Sequence, residues 1–168
     1  MTIEYLKKGI DEKQRTEDNE KVKKVVEDTL HKIEIEGDKY IRELSNKFDN
    51  YSPKSFKLTE NEITQLMSEV SGEDIKDIKF AQKQVRSFAE AQLKTLNELE
   101  LETHPGVILG HKNIPVQAVG CYVPAGKFPM VASAHMSIVT ASVAKVPRIV
   151  ATTPPFQGKP NPAVVTAM

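Results

Sequence analysis

The apolar positions of this 168-residue chain change their period once, near residue 105. Before that point they recur at helical spacing. Val22, Val25, Val26, Leu30 and Ile33 predict a charged amphipathic helix over 17–36, ended by Gly37. Asp38 is placed to cap a second helix over about 39–48, with Tyr40, Ile41, Leu44 and Phe48 on one face. A turn is expected at Asn50–Pro53. Thr59 and Glu62 stand three apart ahead of Ile63 and Leu66, a capping-box pattern for a short helix ending near Val70. After Ser71-Gly72 a long helix is predicted from about Glu73 to Leu96, with Ile75, Ile78, Val85, Phe88, Ala89 and Leu93 on or near one face.

From His104-Pro105-Gly106 onward the chain reads as strand and helix in alternation. Val107–Leu109 and Val116–Val123 are rich in β-branched residues and predict strands. Ala132, Met136, Val139, Val143 and Val146 are spaced 4, 3, 4 and 3 apart, a buried stripe on a helix that Pro147 should stop. Arg148–Thr152 reads as a strand closed by Pro154-Pro155, and Pro162–Met168 as the opening of a helix. A strand, loop, helix, strand unit implies a parallel pair with a right-handed crossover. The fold class expected is therefore α/β. A helical N-terminal region over 1–104 is followed by the first strands of a Rossmann-like parallel-sheet domain over 105–168, incomplete as it stands.

Charge sharpens this division. Residues 106–168 hold five basic side chains (Lys112, Lys127, Lys145, Arg148, Lys159) and no acid, a net of +5. The first 105 hold 18 basic and 23 acidic side chains, a net of −5. A back third so poor in charge suits packed strands and helices, and its positive excess also suits an anionic ligand such as a dinucleotide; composition alone favours the packed core. The balanced total gives no sign of nucleic-acid binding. One cysteine, Cys121, forbids an internal disulfide and a multi-thiolate metal site. The N-terminus lacks the apolar run of a secretory signal, and the stretch 130–146 is broken by polar residues, so no membrane span and a cytoplasmic location are expected.

Candidate chemistry gathers after the strand ending at Val123, because open parallel sheets bind ligands at the carboxyl ends of their strands. Gly120 and Gly126 would let backbone approach a ligand, although they do not form the G-x-G-x-x-G fingerprint and serve turns equally well. Tyr122 has the chemistry to stack on or hydrogen-bond a cofactor, though strand-end aromatics more often pack on a helix. Lys127 can meet a phosphate or simply be solvated, and Thr152 and Thr153 end the next strand on the same edge. His31, His104, His111 and His135 lack zinc-ligand spacing. His31 is expected on the surface, His104 in a solvated turn, and His135 as a buried, hydrogen-bonded histidine.

Several separated segments resemble the histidinol dehydrogenase family. Gly37-Asp38-Lys39-Tyr40-Ile41-Arg42-Glu43-Leu44-Ser45-Asn46-Lys47-Phe48-Asp49 resembles its G-D-x-A-L-x-x-Y-x-x-K-F-D stretch. Val119-Gly120-Cys121-Tyr122-Val123-Pro124-Ala125-Gly126 resembles its V-G-x-Y-[VI]-P-G-G loop. Pro105-Gly106-Val107 and Thr153-Pro154-Pro155 fall in the same register. The opening residues, Arg86-Ser87-Phe88-Ala89-Glu90 with Gln92, Ile114-Pro115-Val116 and Gly120-Cys121-Tyr122-Val123-Pro124 are similar to the sulfopropanediol dehydrogenase branch. The resemblance implies an NAD-dependent oxidation of a primary alcohol through an aldehyde to a carboxylate, in homodimers with intertwined subunits. For the branch the implied substrate is 2,3-dihydroxypropane-1-sulfonate, giving 3-sulfolactate; L-histidinol is the alternative. The resemblance assigns cofactor contact to Tyr122, with Pro124 and Gly126 lining the same loop. It places the zinc ligands and the proton-handling Glu/His pair beyond residue 168, so no catalytic or metal residue is assigned here. Ala125 departs from the first glycine of P-G-G and would be strained if the position needs positive φ. A reading of another class is a short non-catalytic binding or regulatory paralogue. The 168 residues alone are expected to be inactive, and NADH formation by the purified chain with NAD and substrate would refute that.

Overall fold

The computed structural model describes residue 9 and residues 11–168, in two compact units that divide between Ser52 and Pro53. The opening residues named in the resemblance lie outside the described residues.

The first unit is a helical pair. Helix α1 spans Glu12–Glu36, five residues longer at its start than the apolar pattern predicts, and α2 spans Asp38–Asp49. Gly37 joins them at φ 57°, a conformation that suits glycine, and its N–H closes α1 on the Ile33 carbonyl at 2.8 Å. Gly37, not Asp38, is the N-cap of α2. Asp38 is the first helical residue, where its carboxylate favours the helix dipole. Asn50 ends α2 in the left-handed conformation (φ 48°), as asparagine tolerates. The Lys32 ammonium lies 5.3 Å from the Tyr40 ring centre and joins the two helices. No residue of α1 is buried, and Val22, Val25, Val26 and Leu30 are exposed.

The second unit begins with α3 (Glu60–Ser68) and α4 (Gly72–Leu93). The predicted capping box is present. Thr59 Oγ1 accepts from the Glu62 N–H at 3.3 Å, and Glu62 Oε2 accepts from the Thr59 N–H at 2.7 Å and its hydroxyl at 2.8 Å. These bonds, the backbone one first, hold the Glu62 carboxyl below its ordinary titration range. Ser71 caps α4 by accepting from the Asp74 N–H at 3.0 Å. Ile78 and Ala89 face inward as expected, whereas Phe88 is exposed. The helix ends at Leu93, and single turns carry the chain on to Leu96.

Strands β1 (Leu99–His104) and β2 (Val107–His111) form an antiparallel hairpin. This corrects two expectations: residues 99–104 are strand within the region read as helical, and Val107–Leu109 pair backwards with β1 rather than joining a parallel sheet. Alternating Leu99, Glu100, Leu101 and Glu102 supply a period of two. Gly106 makes the turn at φ 80°, its N–H bonded to Glu102 Oε1 at 2.8 Å. Every residue of both strands is exposed.

The parallel pair is β3 (Ala118–Tyr122) and β4 (Arg148–Thr152), in register from Ala118 opposite Arg148 to Tyr122 opposite Thr152. A helix over 131–143 connects them. Its α-helical ends, α5 (Val131–Ala134) and α6 (Thr140–Val143), flank a π-helical stretch at His135–Val139. The π-helical stretch re-phases the predicted stripe: Val139 and Val143 are buried, but Met136 is 67% exposed, Ala132 is exposed, and Ala134 and His135 take the inner positions. The helix ends before Pro147. Lys145 adopts φ 61°, and the Val146 N–H returns to the Ala141 carbonyl at 3.2 Å, so Val146 lies past the helix.

Helix α7 (Pro162–Ala167) carries Pro at its first turn and is capped by Asn161, whose Oδ1 accepts from the Val164 N–H at 3.1 Å. It packs against α3, α4 and α5. The core joins Ile78 of α4, Val123 and Ala125 beyond β3, Ala134, and Val164 and Ala167 of α7. Gln82 donates to the Ala167 carbonyl at 3.0 Å, and Lys159 meets Glu69 at 2.7 Å, tying the segment after β4 to α3.

Thr59→Ala removes the hydroxyl that accepts from the Glu62 N–H and donates to its carboxylate, at an exposed site, and leaves the backbone N–H bond to Glu62. The expected loss is about 1 kcal/mol of stability, read as a lower urea midpoint with unchanged slope.

Candidate functional site

Strand alternation gives the β3–β4 pair two unlike faces. Cys121 and Val123 are buried and Val119, Ile149 and Ala151 half-buried on the face that α5 and the π-helical stretch cover. Ala118, Gly120, Tyr122, Arg148, Val150 and Thr152 are exposed on the other. The candidate cofactor residues lie where this open face meets the carboxyl edge.

Tyr122 is the last residue of β3, directly opposite Thr152, and 61% exposed. The Val123 N–H donates to the Thr152 carbonyl at 2.8 Å and extends the pairing one step past Tyr122. Tyr122 is thus not packed on a helix; its ring stands on the open face, one alternation from Gly120, where an added Cβ would meet nothing within 4 Å. Pro124 is half-buried, and its carbonyl accepts from the Met130 N–H at 3.0 Å, closing the loop 124–130. Gly126 is exposed, and a Cβ there would lie at ordinary contact distance, 3.9 Å, from Pro154. Neither Gly120 nor Gly126 has positive φ. Lys127 is exposed, and Thr153 is half-buried with its hydroxyl 3.5 Å from the Pro154 carbonyl.

Ala125 is not strained. It lies outside the positive-φ region and is fully buried in the core cluster. Its methyl anchors the loop instead of distorting it. The structure therefore brings Tyr122, Pro124, Gly126 and Thr152 to one edge.

The histidines do not gather there. His31, His104 and His111 are exposed; His104 closes β1, and His111 in β2 lies 3.0 Å from the Asn97 carbonyl. His135 is buried as expected, and its Nδ1 has no hydrogen-bond partner among the described protein atoms. His135 stands four residues before Val139 and eight before Val143, on the same helical row as both. Burial pushes its pKa below 6.5. Among the described residues no group of three His, Cys, Asp or Glu side chains is placed to hold a metal ion. No described helix is long and apolar enough to cross a membrane. Two cavities of about 370 Å³ lie elsewhere, one against the hairpin beside Glu100 and His111, the other between α4 and α6 beside Gln92 and Thr140.

A strand-end tyrosine at an open parallel edge is followed by a loop rooted in the core. Comparison with known proteins assigns the family. The family model described as histidinol dehydrogenase matches residues 12–168, and the chain belongs to that family of dehydrogenases. It is 48% identical to a histidinol dehydrogenase homolog of Shouchella clausii over 98% of this chain and 39% of that protein. It is 44% identical to the sulfopropanediol 3-dehydrogenase of Ruegeria pomeroyi, over 99% of this chain and 38% of that one. Against the histidinol dehydrogenase of Methanosarcina barkeri identity is 34%, over 88% and 34%. The crystal structure of histidinol dehydrogenase from Elizabethkingia anophelis superposes with a TM-score of 0.80 at 26% identity, over 97% of this chain and 35% of that one. The chain thus spans under two-fifths of the length of these relatives.

The lowered His135 pKa sets a direction with pH. The unfolded state binds the proton more readily, so stability is full above the ordinary value of 6.5 and falls as pH drops through it toward the depressed folded value. Thermal melts between pH 7.5 and 5 should show this loss, and His135→Leu should reduce it. An unchanged pH slope in that variant would contradict the assignment.

Proposed function

We propose that the chain supplies the tyrosine-bearing edge of an NAD-dependent dehydrogenase that oxidises a primary alcohol through an aldehyde to a carboxylate. The observation that carries this reading is the exposed Tyr122 ring at the carboxyl end of β3, beside the open surface over Gly120. There the ring can stack on or hydrogen-bond a flat cofactor, with Pro124 and Gly126 bounding the same loop. NAD accepts hydride in such a reaction. The chain's own contribution is to seat the cofactor against a loop that its core holds still. The substrate we favour is 2,3-dihydroxypropane-1-sulfonate, on the segments similar to the sulfopropanediol branch; identity to that enzyme is 44%, against 48% to a histidinol dehydrogenase homolog and 34% to a histidinol dehydrogenase. The zinc of this reading belongs to residues outside the described set, and the working unit is a homodimer located in the cytoplasm.

The test is an NADH assay on the product of the complete coding frame, with sulfopropanediol and L-histidinol side by side. Two NADH per sulfopropanediol, and little turnover of histidinol, is the expected result. Preference for histidinol would reassign the substrate, and failure with both would favour a non-catalytic binding role. Tyr122→Ala should raise the KM for NAD about tenfold, equivalent to ~1.4 kcal/mol, with a smaller change for the alcohol. An unchanged KM for NAD would remove Tyr122 from the cofactor site.

A further inference from the structure

The chain leaving β3 is restrained in a different way at each successive residue. Val123 is β-branched and precedes a proline, which confines its backbone to the extended region. Pro124 has its φ fixed by the ring. Ala125 has neither restraint. Its backbone lies outside the positive-φ region, where alanine has a wide choice of conformations. The side chain selects among them: the methyl is fully buried, in a cluster with Ile78 of α4, Ala134 of α5, and Val164 and Ala167 of α7. Gly126 has no Cβ to anchor, and one added there would meet Pro154 at 3.9 Å. From Gly126 as far as Val131 no side chain belongs to the core cluster or packs against it.

The contact at Ala125 reaches the far end of the loop. The Pro124 carbonyl and the Ala125 N–H share one peptide plane. That carbonyl accepts from the Met130 N–H at 3.0 Å. Fixing Ala125 therefore aims the acceptor that closes the loop 124–130. The contact is one of burial, so it holds whichever surfaces other segments cover.

We propose that Ala125 is a positioning residue for the bound cofactor. Its methyl holds the Pro124–Ala125 peptide, and through it the loop, in the conformation that receives NAD. The inference rests on the dehydrogenase reading given above for this edge. Glycine at the position follows the same backbone path but also samples others. The share of molecules with the loop in place then falls, and apparent affinity falls by the same factor. Once NAD is bound the loop is seated, so turnover at saturation stays as it was.

The test is steady-state kinetics with thermal melting on the product of the complete coding frame, in two variants that carry the same chemical change. Ala125→Gly should raise the KM for NAD about fivefold, with kcat and the KM for the alcohol unchanged. Ala89→Gly removes a methyl from a buried position of α4 outside the core cluster. It should lower the melting temperature at least as far, because glycine also weakens a helix interior, and leave the KM for NAD as it was. An unchanged KM in Ala125→Gly, or a KM that rises equally in both variants, would overturn the proposal. No NADH from the unaltered protein would instead remove the dehydrogenase reading itself, and this role with it.

Discussion

The second unit depends on the burial of Val123 and Ala125 just past the end of β3. Both are fully buried, and with Ile78, Ala134, Val164 and Ala167 they make the core. In most open sheets the core lies under the strands and loops are rim. Here the centre of packing has moved into the loop. Helices from both sides of the unit's sequence converge on these two residues. Helix α7, only six residues long, contributes Val164 and Ala167 to this point and is held from below by Gln82.

That placement explains the division between site and scaffold. Tyr122 alternates outward because Cys121 and Val123 alternate inward, and a side chain next to such an anchor has little freedom to drift. The direction in which the ring leaves the strand is thereby fixed. The loop after it, closed by the Met130 to Pro124 bond, inherits the same rigidity.

Much of this was legible along the chain, for reasons particular to each element. Thr59 with Glu62 and Asn161 before Pro162 encode helix starts through local hydrogen bonds, which depend on few distant residues. The β-branched runs at β3 and β4, and the strand-end position of Tyr122, followed from alternation. The hairpin was hidden because Leu99 and Leu101 alternate with glutamates in a charged stretch that continues from a helix. The π-helical stretch was hidden because a 4, 3, 4, 3 spacing fits an unbroken α-helix, and only tertiary packing selects a helix with an added residue. The role of Ala125 was misjudged for a related reason: a glycine in a motif invites an argument from backbone freedom, whereas this backbone needs none and the methyl serves packing.

Rooting the loop in the core also sets how it can fail. A loop held only by surface bonds opens many times before its domain unfolds. One whose third residue past the strand is a core residue has no such intermediate; exposing Ala125 means dismantling the contact of α4 with α7 as well. Amide exchange at Val123 and Ala125 would then track global unfolding, with the outer rim at Gly126–Phe128 alone free to breathe. The same coupling divides the loop into a part that can vary and a part that cannot. Residues of the rim can change to suit a ligand, but a change at position 125 reaches three helices before it reaches any ligand.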